Sequence, residues 1–276
     1  MEWALDIDRR WIWAIIFIII GAVIIHPLGL PITVSPDTQK FYDTIQKLPE
    51  GSIILVGASY DIGAQGEITP MVKALAYQAF AHNLRLAVFD AAWVNGPKLA
   101  GQAIDQVAKE MGKKYGVDWI NIGYKPGSST TYQLITQDLI SAAKNVDQTG
   151  QSLDQFPIMK DLPKVDKDHV AAIFAADIGS PGAGDAWLPY VSQPTGIPLL
   201  VGSITMSVAQ NKPYVASGQF AAMLAGSRGA AEYEQLVGHP GAAAAQQDGQ
   251  SLAAIYVTLL IVLANVAWLT TRKKAA

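Results

Sequence analysis

The chain has 276 residues, a formal net charge of −3 and no cysteine. Its mild acidity offers no basic surface of the kind nucleic acid demands, and the missing thiols exclude disulfides, thiolate metal sites and cysteine nucleophiles. Half of the residues are hydrophobic, yet mean hydropathy is only +0.22, which excludes a polytopic transporter and concentrates the apolar excess in two stretches.

The first stretch runs from Trp11 to Ile25 and continues, less apolar, to Leu30. The second runs from about Ser251 to Thr270. A helix needs about 20 apolar residues to cross a hydrocarbon core of roughly 30 Å, so residues 11–30 and 251–270 are expected as two transmembrane helices embedded in a lipid bilayer. Arg9 and Arg10 precede the first, Arg272, Lys273 and Lys274 follow the second, and the facing flanks (30–39 and 229–250) carry no Lys or Arg. Positive residues near span ends mark the cytoplasmic side. This predicts cytoplasmic termini (1–10 and a basic tail, 271–276), an extracytoplasmic domain over 31–238 and a Gly/Ala/Gln-rich linker over 239–250. A secretory signal peptide also begins with basic residues, but its short apolar core ends at a small-residue cleavage site. Here His26-Pro27-Leu28-Gly29-Leu30-Pro31 follows without an A-x-A pattern, so an uncleaved anchor is expected, with Trp11 and Trp13 at the interface.

Between the stretches, apolar runs alternate with helical patterns. Ser52–Tyr60, Leu84–Asp90, Asp118–Tyr124, His169–Asp177 and Ile197–Thr205 read as strands, the first being a continuous apolar run typical of a strand buried on both faces. Helices are expected from Thr69 to His82, Gly96 to Gly116, about Ser129 to Lys144, over a short stretch Ala186–Val191, and from Tyr214 to Leu236. The polar segment Asn145–Asp168, with Pro157 and Pro163, reads as a surface excursion. Strands alternating with helices imply right-handed crossovers. The expected fold is therefore α/β, a three-layer Rossmann-like domain with a mainly parallel sheet of about five strands.

Ligands of such sheets bind beyond the carboxyl ends of the strands, near a switch in strand order. Ser59, Asp61, Asp90, Lys125 and Asp177 stand at those ends and form the candidate ligand site. Carboxylates there can hold a cation or polarise a hydroxyl, and they also cap turns in any such fold. Gly57-Ala58-Ser59-Tyr60-Asp61 resembles a nucleophile elbow, but Asp61 stands where the tight turn wants glycine. Of the histidines, His26 lies at the membrane flank, His239 in the linker, and His169 opens a strand at the wrong end of the sheet for a triad. Gly179, Gly182 and Gly184 do not match phosphate-loop spacing, and no G-x-x-x-x-G-K-[ST] occurs. No catalytic residue, metal site or cofactor is expected. On the expected last helix, Ala221, Ala225 and Gly229, and likewise Ala222, Gly226 and Ala230, recur every four residues. Small residues at that spacing admit close backbone approach and make Ala221, Ala222, Ala225, Gly226 and Gly229 a candidate docking face for a protein partner or a second copy.

Leu48-Pro-Glu-Gly-Ser52, Tyr115-Gly-Val-Asp118 with Asn121–Gly127, and Ser217-Gly-Gln219 through Gly229-Ala-Ala-Glu-Tyr-Glu234 together resemble an uncharacterised bacterial and archaeal family of membrane-anchored α/β proteins. The resemblance implies architecture and no activity. The leading expectation is a membrane-anchored accessory protein that binds a ligand or partner subunit, within a larger membrane complex. Its rival is a membrane-bound hydrolase or phosphoryl-transfer enzyme using the strand-end carboxylates.

Overall fold

The computed structural model describes residues 8–26 and 28–272. Residues 1–7, Pro27 and the end of the expected basic tail, Lys273 and Lys274 included, lie outside it. In chain order it comprises α1 (Arg9–Ile25), α2 (Pro36–Gln46), β1 (Ile53–Gly57), α3 (Gln65–Ala81), β2 (Arg85–Asp90), α4 (Gly96–Glu110), β3 (Trp119–Tyr124), α5 (Ser129–Ile135), α6 (Leu139–Ala142), α7 (Pro157–Lys160), β4 (Ala172–Asp177), a π-helical stretch (Ala183–Ser192) leading into α8 (Gln193–Thr195), β5 (Leu199–Ser203), α9 (Val208–Ala216), β6 (Ala222–Ala225), α10 (Gly226–Val237) and α11 (Ala242–Arg272).

The six strands form one sheet in the order β3-β2-β1-β4-β5-β6, every pairing parallel. The α/β expectation therefore holds, with one more strand than expected. Period-two alternation splits each central strand between two cores. Ile54, Val56, Leu86 and Val88 face α2, α3, α4 and α10, among Phe41, Met71, Leu75, Ile104 and Tyr233. Ile53, Leu55, Ala87 and Phe89 face the opposite layer, among Tyr132, Ile135, Leu139, Trp187 and Phe220. Burial on both sides accounts for the unbroken apolar run of β1, all five of whose residues are buried. The chain leaves β1 outward to β3, then returns across the sheet to β4, so the switch point lies between β1 and β4.

Three expectations are corrected. The single helix expected over 214–236 is divided into α9, β6 and α10. Gly226 makes the strand-to-helix turn at φ +61°, a left-handed conformation that favours glycine. The residues expected as a linker are helical from Ala242, as the first turns of α11. Nor does a matched pair of spans emerge. Among the described residues one helix, Ala242–Thr270, is long and apolar enough to cross a membrane, its apolar 18-residue window having a mean hydropathy of 2.3. The N-terminal helix ends at Ile25 rather than Leu30, and its 17 residues extend only about 26 Å, short of a roughly 30 Å core.

The two terminal helices pack antiparallel. The Tyr256 hydroxyl donates to the Ile12 carbonyl, and a Cβ on Gly249 would sit 4.0 Å from Ile20. In this register Arg9 and Arg10 lie close to the turn just beyond Tyr256, where the apolar run of α11 still continues to Leu269. The apolar stretches are therefore staggered along each other instead of covering the same slab.

Candidate functional site

At the switch point the loop following β1 carries Ser59 toward the loop following β2, and the two bring Ser59 and Asp90 together. Ser59 Oγ donates to Asp90 Oδ2 at 2.5 Å, both residues being fully buried. Asp90 Oδ1 also accepts the amides of Ala92 and Trp93, each at 2.7 Å, and the Tyr132 hydroxyl at 3.3 Å. Burial pushes the Asp90 carboxyl above its ordinary range, and these donors, Ser59 first, pull against it. Ser59 Oγ in turn accepts the Trp187 indole N–H at 2.9 Å. The indole occupies the space in which α/β sheets of this order bind ligands. A Cβ on Gly57 would meet Trp187 Cε2 at 2.4 Å, so glycine at the end of β1 is what lets the ring approach. Above it, Trp93 Nε1 donates to the Pro181 carbonyl at 2.7 Å, tying the loops after β2 and β4 across the mouth. The crevice is closed by the protein's own side chains.

The other strand-end candidates do not join this cluster. Asp61 Oδ1 accepts the Ile62 amide at 2.5 Å and Asn95 Nδ2 at 3.0 Å, closing its own turn. Asp177 accepts the Gly179 amide at 2.8 Å and Asn211 Nδ2 at 2.5 Å, and burial raises its pKa. It borders a recess of about 40 Å³ with Asp185, Asn211 and Tyr214, room for a water or two and no more. Lys125 is buried and donates to the Val146 carbonyl at 2.7 Å. Burial pushes its ammonium down, with Asp147 pulling it up. It follows β3, three strand spacings from Asp177 on β4, a separation of about 14 Å across the sheet. Among the described residues no group of three or more His, Asp or Glu is placed to hold a metal ion.

The small residues expected as a docking face do not share a helix. Ala222 and Ala225 belong to β6, and Ala221 precedes it with its amide donating to Leu199. Gly226 lies against Thr205, and a Cβ on Gly229 would meet the Leu224 backbone at 2.9 Å. These residues let α10 fold back closely onto β6, within the domain.

A larger opening lies elsewhere, and the sequence reading missed it. A groove of about 760 Å³ runs between α3, α4 and the α10–α11 turn. Lys73, Tyr77, Gln106, Glu234 and His239 line it. The Tyr77 and His239 rings stack 3.8 Å apart and within 6° of parallel. Tyr77 donates to Glu110, which pushes the phenol up to about 12 and holds the Glu110 carboxyl low. Glu234 accepts the amides of Gly241, Ala243 and Ala244 at 2.9–3.3 Å, supplying the first turn of α11 with the carboxylate cap that its own alanines lack. Burial raises its pKa against those bonds. No spacing in the sequence announces this groove, because the 238–241 turn meets α3 only through the fold.

No family model matches the chain, and no curated protein or solved structure does either. Of what the family resemblance implied, the α/β architecture with a parallel sheet is confirmed.

Proposed function

We propose that this chain is a membrane-anchored, non-catalytic binding protein whose α/β domain sits outside the cytoplasm against the bilayer, as an accessory component. The observation that carries the reading is the closed switch point: Trp187 fills the crevice, and the Ser59–Asp90 pair is spent inside the protein. An enzyme built on the strand-end carboxylates needs them around one accessible cavity, whereas Asp61, Asp90 and Asp177 each close a separate turn.

The course of α11 supports the placement. His239 stacks beside Tyr77, late in α3, while the following residues of α11, from Ala242 to Ala253, border a cleft that also reaches Gly66 at the start of α3. Because α3 follows β1, its start marks the carboxyl edge of the sheet, and α11 therefore leaves the domain on that side. The loops there expose Ile62 (65%), Val94 (62%) and Met206 (87%), apolar side chains suited to a lipid surface. The antiparallel packing of α1 on α11 favours termini on one side of the membrane, and the basic residues 272–274 that follow the apolar run of α11 favour the cytoplasmic side.

The test is alkaline carbonate extraction of membranes, with reporters fused at each terminus and protease added from outside. Retention in the membrane, cytoplasmic reporters and cleavage within residues 32–238 are expected. Release by carbonate, or a protected domain in intact cells, would overturn the reading.

A further inference from the structure

The polar groove beside α3 does not end at the domain surface. Gly66 and Ala242 line it and also line a second cleft, of about 570 Å³, between α11 and α1. Ile20, Ile24, Ala245 and Ala253 make this second cleft predominantly apolar. The two volumes thus meet along one boundary, and each falls within the range of small-molecule sites. The apolar end opens where α11 begins its apolar run and where Ile24 and Ile25 of α1 are 61% and 72% exposed. At the polar end, Lys73 donates to Gln106 Oε1 at 2.6 Å and makes no ion pair among the described residues. His239 lies in the same wall.

We infer that this double groove holds one membrane phospholipid, its acyl chain in the α1–α11 cleft and its phosphate at Lys73. The inference rests on the membrane anchoring proposed above, and names the ligand class of that reading. The polarity gradient selects the occupant: a soluble metabolite leaves the apolar cleft empty, and a hydrocarbon leaves the polar wall of Lys73, Gln106 and His239 without a partner. The cleft offers the acyl chain an apolar lining in place of the bilayer it leaves, and a lysine ammonium is a point-charge partner for phosphate. The junction is held open by Gly66, where an added Cβ would meet nothing within 4 Å. A larger side chain there projects into the passage without displacing the fold. Gly249 gives a second obstruction in the apolar cleft, with only Ile20 at 4.0 Å from an added Cβ.

The experiment uses the full chain in phosphatidylcholine vesicles, each preparation doped with either phosphatidylglycerol or diacylglycerol bearing a diazirine near the carboxyl end of the acyl chain, next to the glycerol that the proposal places at the Gly66 junction. After irradiation, adducts are mapped by peptide mass spectrometry, while flotation of the vesicles reports membrane anchoring separately. Lipid surrounding the helices labels α1 and the apolar part of α11 in any case, so the informative adducts are those on Gly66–Lys73 of α3. Phosphatidylglycerol is expected to label that segment several-fold more than diacylglycerol. Gly66→Leu and Gly249→Leu should remove the α3 label with flotation and melting temperature unchanged, and Lys73→Gln should erase the difference between the two probes. Protein that floats but carries adducts on α1 and α11 alone would overturn the inference while leaving the anchoring intact. Equal labelling of α3 by both probes, indifferent to Lys73→Gln, would overturn the phosphate assignment. Protein that fails to float would instead refute the anchoring itself.

Discussion

Replacing Trp187 tests the closed switch point most directly. Its side chain is fully buried and meets Tyr132 and Phe89 edge-on at centroid distances of 4.9 and 6.1 Å. Truncating a buried aromatic to alanine costs ~3–5 kcal/mol. The two edge contacts, worth ~0.5–1.5 kcal/mol each beyond area, place Trp187→Ala in the upper half of that range. For a domain of this size each kcal/mol moves the melting temperature by ~2–4 °C, so a fall of about 8–20 °C is expected by circular dichroism on the detergent-solubilised chain. Gly57→Ala attacks the same contact from the other side, because its Cβ would lie 2.4 Å from the indole, and overpacking of this kind costs ~1–3 kcal/mol. The two residues should therefore couple. In a Trp187→Phe background, where the smaller ring vacates the space beside Gly57, the cost of Gly57→Ala should shrink by at least ~0.5 kcal/mol. Additive costs across the double-mutant cycle, or a Trp187→Ala loss below about 1 kcal/mol, would refute the claim that the indole fills the crevice.

Three further outcomes are expected. The Glu232 side chain is 1% exposed and accepts from Ser35 N and Oγ, Thr38 Oγ1 and Arg228 Nε at 2.6–3.0 Å. Burial pushes its carboxyl up, but the bonds from Ser35, Thr38 and Arg228 prevail and hold it below its ordinary 4.5. Its stabilisation is therefore present above about pH 4.5 and lost as the pH falls through the lowered folded value. The melting-temperature gap between the native chain and Glu232→Gln should stay constant above pH 4.5 and close below it, and a gap that widens in acid contradicts the assignment. Gly229→Ala, pressed against the Leu224 backbone, should lower stability by ~1–3 kcal/mol with the native mass unchanged; a changed oligomeric state at unaltered stability would return this residue to an intermolecular role. Glu234→Ala should speed hydrogen exchange at Ala243 and Ala244 by at least about tenfold, the equivalent of ~1.4 kcal/mol, and unchanged exchange there would show that the first turn of α11 is held by something else.

Strands with long apolar runs were legible from the residues alone. Ser52–Tyr60 and His169–Asp177 read as strands because a short, continuous apolar run is the pattern of burial on both faces, and β1 and β4 lie within them. β6 was not legible. Ala222-Met-Leu-Ala225 is four residues long within a run of small side chains that fits a helical period equally well, and only pairing with β5 decides it. The same ambiguity created the apparent ladders of small residues, which are divided between β6 and α10, with Gly229 set close against the Leu224 backbone. α2 went unread although Ser35 and Pro36 form a recognisable cap. At the candidate site, the position of Ser59 and Asp90 at strand ends followed from the fold class, but their mutual bond and the indole above them did not. Trp187 lies 128 residues from Ser59, and its role depends on how closely a π-helical stretch can approach Gly57. The groove at Lys73 and His239 was hidden for the same reason, its two walls belonging to distant parts of the chain.

The clamp of Glu234 on the start of α11 has a mechanical consequence. A second carboxylate, Asp248, sits two turns further along the same helix and accepts the amides of Leu28, Gly29 and Leu30 at 2.9–3.1 Å. The long helix is thus fastened to the end of α10 and to the chain leaving α1, with no flexible joint before its apolar run. If α11 crosses the bilayer as proposed, the domain is the far arm of a lever whose short arm lies in lipid. Transmembrane helices tilt as bilayer thickness changes, and a tilt of about 10° displaces the far side of a domain about 40 Å across by about 7 Å. Membrane thickness is thereby converted into the height and attitude of the sheet above the surface.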